Sequence, residues 1–511
     1  MQGRTWAALA ILGAVAACAP AAPVGFPEGF TWGAAVAGFQ VDMGCPTLPP
    51  EQCEDRNSDW YAFITDPRFT SQSWFTGGAP STGPGFWELY PQDIRRAKEE
   101  LGLGGFRMSV EWSRVFPNAT DGIEGYDALR AAADPAALAT YHAIFAGLKA
   151  HGLRPFVTLH HYTLPSWIHD APGCNADLKA CTRRGWLDRE RTVREISKFA
   201  GFAAREFGGE VDQWATMNEP LALALPGYVQ PGKDRANPPA VSLQFEAFKQ
   251  VTLALIDGHA RMYDAVKAAD TADADGDGTA AAVGLVYNMA PVRGRTDSRV
   301  DTRAADNVFY LYNTVFLDAV IKGSVDENLD RNPVQRADLA GRMDFLGVNY
   351  YTRTTVDGTG DAQLPTLSPL TTFNPFTVTV WEDYPRGIYE MLVHVKERYG
   401  IPTVISENGT EKMADGDQGT SFVARNLQWV RQAIREGADV RGYYVWTLVD
   451  NYEWNHGMSL RFGLYAVDAA DGSKARTLRE VGKAYARIAR ANALPADLEK
   501  AYPAEGLPAA K

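Results

Sequence analysis

Eight short apolar runs, each separated from the next by a longer segment of helical character, constrain this chain more than any other feature. They lie near residues 30–34, 105–110, 155–161, 213–218, 281–289, 345–352, 403–407 and 442–448. Near-continuous apolar runs suit strands buried on both faces of a parallel sheet. Between them, Asp134 and Pro135 read as the cap and first residue of a helix. Leu138, Tyr141, Phe145 and Leu148 form its apolar face, and Gly152 ends it. Val423, Leu427, Val430 and Ile434 repeat that spacing ahead of Gly437. Strand and helix alternating eight times predict an α/β fold, a (β/α)8 TIM barrel in a single domain. A doubly wound sheet would want Gly-x-Gly-x-x-Gly after a strand, and none follows these runs. The rest of the 511 residues is accommodated by long loops, notably 43–85 and 357–375, rich in Pro, Gly, Ser, Thr or Asp. Loops of that length in a barrel usually line its mouth, and both are expected to shape the outer binding site.

Two runs end alike. Trp214-Ala215-Thr216-Met217-Asn218-Glu219-Pro220 and Val404-Ile405-Ser406-Glu407-Asn408-Gly409 each finish in a carboxylate beside an Asn, then a residue that breaks regular structure. This puts Glu219 and Glu407 at the C-terminal tips of barrel strands, where barrel enzymes keep their chemistry. Either glutamate alone reads as an exposed loop carboxylate. As a matched pair they suit cleavage of a glycosidic bond with retention, which needs two carboxyl groups about 5–5.5 Å apart. Pro220 offers Glu219 no N–H, which suits a carboxyl acting as acid and base. Glu407 would need Arg107 and Tyr351, at neighbouring strand ends, to stay ionised as nucleophile.

The same stretches resemble the catalytic motifs of glycoside hydrolase family 1. The likeness runs from Phe26-Pro27-Glu28-Gly29-Phe30-Thr31-Trp32-Gly33 to Arg461-Phe462-Gly463-Leu464. It takes in Val110-Glu111-Trp112-Ser113-Arg114, His161 ahead of Leu164-Pro165, and Asn349-Tyr350-Tyr351. Residues 38–44, Asp59-Trp60-Tyr61 and residues 83–87 resemble the archaeal-type β-glycosidases in particular. The resemblance implies Glu407 as nucleophile, Glu219 as acid/base, Asn218 on the sugar 2-hydroxyl, and Arg107 and Tyr351 in support. It further implies that Gln40, His161, Glu453 and Trp454 grip the far hydroxyls of the non-reducing sugar, with Trp446 beneath the ring. The implied activity is a retaining exo-β-glycosidase of β-glucosidase or β-galactosidase type, acting on small glycosides without a cofactor. The archaeal likeness also implies homo-oligomers. Asp42 stands where the family usually has Glu, and Ser406 where it usually has Thr. Asn455-His456-Gly457-Met458-Ser459-Leu460 lacks the Ser and Lys that hold a 6-phosphate, and an anionic Glu453 would repel one. Neutral sugars are therefore expected. The alternative is a catalytically inert sugar-binding lipoprotein on the same barrel. A metal-dependent hydrolase is a poorer fit, since His160-His161 comes without the spacing of a two-His, one-carboxylate site.

Composition narrows the surroundings. A formal charge of −12 disfavours nucleic acid and anionic membrane surfaces. Arg4, an apolar run over 6–15 and Val15-Ala16-Ala17-Cys18 make too short a stretch to span a bilayer and fit an export signal. The pattern resembles a bacterial lipoprotein signal: residues 1–17 removed, a lipid on Cys18, and a tether over 18–25. The barrel over 26–492 and a tail over 493–511 would follow. Plain secretory cleavage near Ala22 is the alternative. Ala19 after the cysteine points to the outer membrane, so the expected location is the periplasm or outer membrane, touched only through the lipid. Export implies oxidising conditions, and Cys45, Cys53, Cys174 and Cys181 then allow three pairings. The local pairs Cys45–Cys53 and Cys174–Cys181 are favoured over a zinc site, for which Cys-x-x-Cys spacing is missing. Asp273, Asp275 and Asp277, with Asp270 ahead of them, resemble half a calcium loop, but the twelfth position is Gly284. A solvated acidic turn is the favoured reading there.

Overall fold

The computed structural model describes residues 25–359, 370–374 and 377–508. The expected export signal, Cys18 and most of the expected tether lie outside these residues. The eight runs form β1 (Thr31–Ala35), β2 (Gly105–Ser109), β3 (Arg154–Thr158), β4 (Gln213–Asn218), β5 (Ala282–Asn288), β6 (Phe345–Tyr350), β7 (Thr403–Asn408) and β8 (Val440–Trp446). They pair in parallel in sequence order, and β1 meets β8 from Thr31↔Gly442 to Ala35↔Trp446, closing the barrel. Each strand is followed by helical structure, the principal helices being α1 (Phe86–Arg95), α2 (Pro135–Ala150), α3 (Arg189–Phe207), α4 (Phe245–Ala269), α5 (Val315–Lys322), α6 (Arg386–Arg398), α7 (Gln418–Arg435) and α8 (Glu480–Ala491).

Local chemistry explains these boundaries. Asp134 caps α2 by accepting from the N–H groups of Ala136 and Ala137 at 2.8 and 3.0 Å, and Leu138, Tyr141, Phe145 and Leu148 are all buried. Inside the barrel, Ala35, Phe156, Ala215, Val286, Phe345, Val404, Tyr444 and Trp446 form a separate apolar plug. A Cβ on Gly33 would lie 2.3 Å from the Tyr444 ring, so glycine there makes room for the plug. Arg107 enters this interior from β2, its guanidinium 5.6 Å from the Phe156 ring centroid.

Both cysteine pairs form the local disulfides, Cys45–Cys53 and Cys174–Cys181. The loop over 43–85 behaves differently from the expectation. It folds into short helices, and Trp60 packs 4.4 Å from Trp454, buttressing the site wall from behind instead of lining the cavity. The loop over 357–375 lies partly outside the described residues. Beyond 492 the chain docks on α7: the helix Ala496–Ala501 buries Leu498, and Arg431 pairs with Glu499. Among the described residues no helix is long and apolar enough to cross a membrane.

Candidate active site

The two strands that carry the carboxylates break register at their tips. Ala215 pairs with Gly284 but Asn218 with Val286, so β4 has one residue more than β5 over that step. Ile405 pairs with Val348 and Glu407 with Asn349, so β7 likewise gains a residue on β6. Such bulges re-aim side chains, and here both glutamates turn into one cavity of about 160 Å³. Glu219 completes its turn in a left-handed conformation (φ 46°), its N–H donating to Val286 O at 2.9 Å, and Pro220 opens the next helix. Strain of this kind in a non-glycine residue is typical of functional positions.

Arg107 donates to Glu407 Oε1 at 2.5 Å and to Asn218 Oδ1 at 2.8 Å, tying the two strand tips together. Tyr351 donates its hydroxyl proton to Glu407 Oε2 at 2.5 Å. Burial nevertheless pushes Glu407 up to about 7; Arg107 pulls it down, the Glu219 charge pushes it up, and the Tyr351 hydrogen bond again lowers it. Glu219 is supplied differently. Asn349 Nδ2 donates to its Oε1 at 2.6 Å and Asn288 Nδ2 at 3.2 Å, while the Tyr162 hydroxyl donates to Oε2. The donor missing at Pro220 is thus made up by three side chains from other loops and strands. Asn349 also accepts from Ser406 Oγ at 2.8 Å, which fixes its amide orientation.

The far wall carries Gln40, His161, Trp446, Glu453 and Trp454, all lining the same cavity. Gln40 donates to Glu453 Oε2 at 3.1 Å. The His161 ring is nearly parallel to the indoles of Trp446 and Trp454, at 6.0 and 5.9 Å. Burial, with Arg107 and Arg235 nearby, holds His161 well below its usual range, so it is a neutral ring. Gln40 Oε1 and His161 Nδ1 are buried with no partner among the described residues. Polar atoms placed so in a cavity suit a hydrogen-bonding ligand. His160 points elsewhere, against Trp186, and burial lowers it to about 3.

Every residue expected at the site is therefore gathered in or beside one cavity at the C-terminal barrel mouth. The model for glycosyl hydrolase family 1 matches residues 23–494. The chain belongs to glycosyl hydrolase family 1. It is a glycoside hydrolase, a retaining β-glycosidase of that family. Similar proteins include the β-galactosidase of Saccharolobus solfataricus, 33% identical over 93% of this chain and 97% of that protein. The β-glycosidase of the hyperthermophile Thermosphaera aggregans has a solved structure that superposes with a TM-score of 0.80, at 29% identity over 94% of this chain and all of that one. A β-glucosidase mutant described as derived from a hyperthermophilic tetrameric structure gives 0.77 at 29% identity, over 93% and 98%.

Four residues of this family 1 site were not expected from the sequence. Tyr162 and Asn349 flank or sit in motifs already noted, and Asn288 ends a buried strand, a position that could have flagged it. Arg235 comes from an irregular loop and has no sequence signal. Its Nη1 donates to Glu453 Oε1 at 3.4 Å, and its guanidinium lies 5.0 Å from the rings of Tyr162 and Trp454.

The acidic loop forms the turn favoured for it, and its clustered carboxylates differ from the trio of the calcium alternative. One carboxylate oxygen each from Asp212, Asp273 and Asp275 cluster within 4.8 Å, with Asp212 in place of Asp277. The Asp273 carboxylate accepts from the N–H groups of Gly276, Asp277 and Gly278 (2.7–3.1 Å), and Asp270 accepts from the Trp214 indole. These are the bonds of a self-capped turn.

Proposed function

We propose that this protein is an exported retaining exo-β-glycosidase releasing a neutral hexose, of glucose or galactose type, from the non-reducing end of small glycosides. One observation carries the assignment of roles: two carboxylates share a cavity but have different donors. Glu407 faces a guanidinium and a phenol, which suits an anion that attacks the anomeric carbon. Glu219 is held by two amides and a phenol, with no ion pair among the described residues, which suits a group that gives up and regains a proton. In the first step Glu407 bonds to the anomeric carbon as Glu219 protonates the departing oxygen. In the second, Glu219 takes a proton from water, which displaces Glu407 from the sugar. Asn218, fixed by Arg107, is placed for the 2-hydroxyl. Gln40, His161, Glu453 and Trp454 take the remaining hydroxyls, and the Trp446 indole covers the apolar face of the ring. Neutral sugars are favoured by the buried Glu453 carboxylate, and the gluco/galacto choice by the β-galactosidase and β-glucosidase names of the relatives. Substituting Glu407→Gly should lower hydrolysis of aryl glycosides by more than about 1,000-fold. Added azide should restore turnover with a product of inverted configuration. Substantial activity of that variant on an ordinary disaccharide would refute the assignment.

Export and anchoring rest on the amino-terminal pattern, with Cys18 as the lipidated residue. Substituting Cys18→Ala should move the protein from the membrane fraction to the soluble one. Homo-oligomers are supported by the relative described as a mutant derived from a tetrameric structure.

A further inference from the structure

The loop between the helix Pro220–Tyr228 and α4 is pinned through its backbone. Asn455 Oδ1 accepts from the Ala236 N–H at 3.1 Å, and its Nδ2 donates to Trp74 O at 2.9 Å and Lys233 O at 3.4 Å. The Gly232 N–H donates to Arg235 O at 2.9 Å, and Asn237 Nδ2 donates to Ala222 O at 2.8 Å. His456 Nε2 lies 3.2 Å from Asp234 O. The residues doing this follow directly on Glu453 and Trp454, so the wall and the loop are positioned as one unit. None of these bonds uses the Arg235 side chain. Its guanidinium faces the cavity over the Tyr162 and Trp454 rings, where its hydrogen bond among the described residues, to Glu453, is long at 3.4 Å. Four further N–H groups of a guanidinium are then available beside a buried carboxylate. Glu453 Oε2 is already taken by Gln40, so Arg235 and Glu453 Oε1 together present a donor and an acceptor on the same stretch of wall.

We propose that Arg235 is a further specificity residue of the glycone subsite, holding Glu453 in place and donating to the same sugar hydroxyl that Glu453 accepts. This rests on the glycosidase reading above. The far end of the subsite is then a neutral donor–acceptor pair, matched to a hydroxyl, which both gives and takes a hydrogen bond. A sugar lacking that hydroxyl leaves both partners unsatisfied. The contact is made before and during reaction alike, so its loss falls on KM.

The test is steady-state kinetics of the wild type, Arg235→Gln and Arg235→Lys on an aryl β-glucoside and its 3-, 4- and 6-deoxy analogues. Arg235→Gln should raise KM for the parent glycoside about tenfold or more, with kcat changed less than about threefold, and Arg235→Lys should recover part of the loss. One deoxy analogue should show no further penalty from Arg235→Gln, because its hydroxyl is already gone. An unchanged KM would overturn the proposal. So would an equal penalty on every analogue, which would mark a loop-holding role. A KM indifferent to Arg235 overturns this proposal alone, whereas absence of turnover in the wild type overturns the glycosidase reading with it.

Discussion

Glu407 shows how little a carboxylate's role depends on its own chemistry. Burial raises it to about 7 even with Arg107 and Tyr351 in contact, because desolvating the charge outweighs the two favourable partners. In the proposed mechanism the attacking form is the anion, so kcat/KM of the free enzyme should fall with acid through an apparent pKa near 7. Removing the Tyr351 donor takes away a bond to the charged form. Tyr351→Phe should therefore move that acid limb to higher pH, measured as kcat/KM against pH on an activated glycoside. A limb that stayed put or moved lower would contradict the assigned hydrogen bond. The two glutamates were legible because each ends an apolar run just before a Pro or an Asn-Gly. Their partners were only partly so: Tyr351 does follow the end of β6, but Arg107, expected at a strand end, sits midway along β2 and reaches up from the barrel interior, and Tyr162 and Arg235 come from irregular segments whose paths depend on contacts far along the chain.

At the scale of elements, the strands could be read because both of their faces are buried, which writes them as continuous apolar runs. Their ends moved by a few residues, β3 stopping at Thr158 and β8 starting at Val440. The bulges at Asn218 and Glu407 could not be read, since an extra residue is defined only against the paired strand. Nor could the part played by residues 43–85. Length and composition suggested a rim, but the helix Asp59–Thr65 turns Trp60 inward against Trp454. The Cys45–Cys53 bond closes this segment on itself ahead of that helix. Replacing both cysteines by Ser should cost about 2–3 kcal/mol of stability by loop-closure entropy. Because the segment backs a wall of the glycone subsite, KM should rise more than kcat falls. Urea unfolding with parallel kinetics would check both, and an unchanged KM would separate the loop from the site.

For the whole molecule, several acids and histidines are buried against their charged forms. Asp42 is raised to about 8 by burial despite Arg114, Glu111 to about 7 by burial, and Glu407 to about 7. The folded state retains protons that the unfolded chain releases above its ordinary carboxylate range, so these groups cost stability as pH climbs toward 8. His160, lowered to about 3, and His259, lowered to about 4, act on the other side. The unfolded chain takes up their protons below about 6.5 while the fold refuses them, and stability falls with acid. Tm should accordingly be highest near about pH 5–6 and decline toward pH 8, with Asp42→Asn and Glu111→Gln together flattening the decline. A Tm that rose from pH 6 to 8 would contradict this balance. The family 1 barrel brings two strand tips from distant parts of the sequence to a single cavity, and a covalent trap tests directly whether they share one sugar there. Incubation with an activated 2-deoxy-2-fluoro-β-glucoside, followed by intact mass and peptide mapping, should give one adduct per chain, on Glu407. A label on Glu219 or elsewhere, or inactivation without any adduct, would contradict the double displacement.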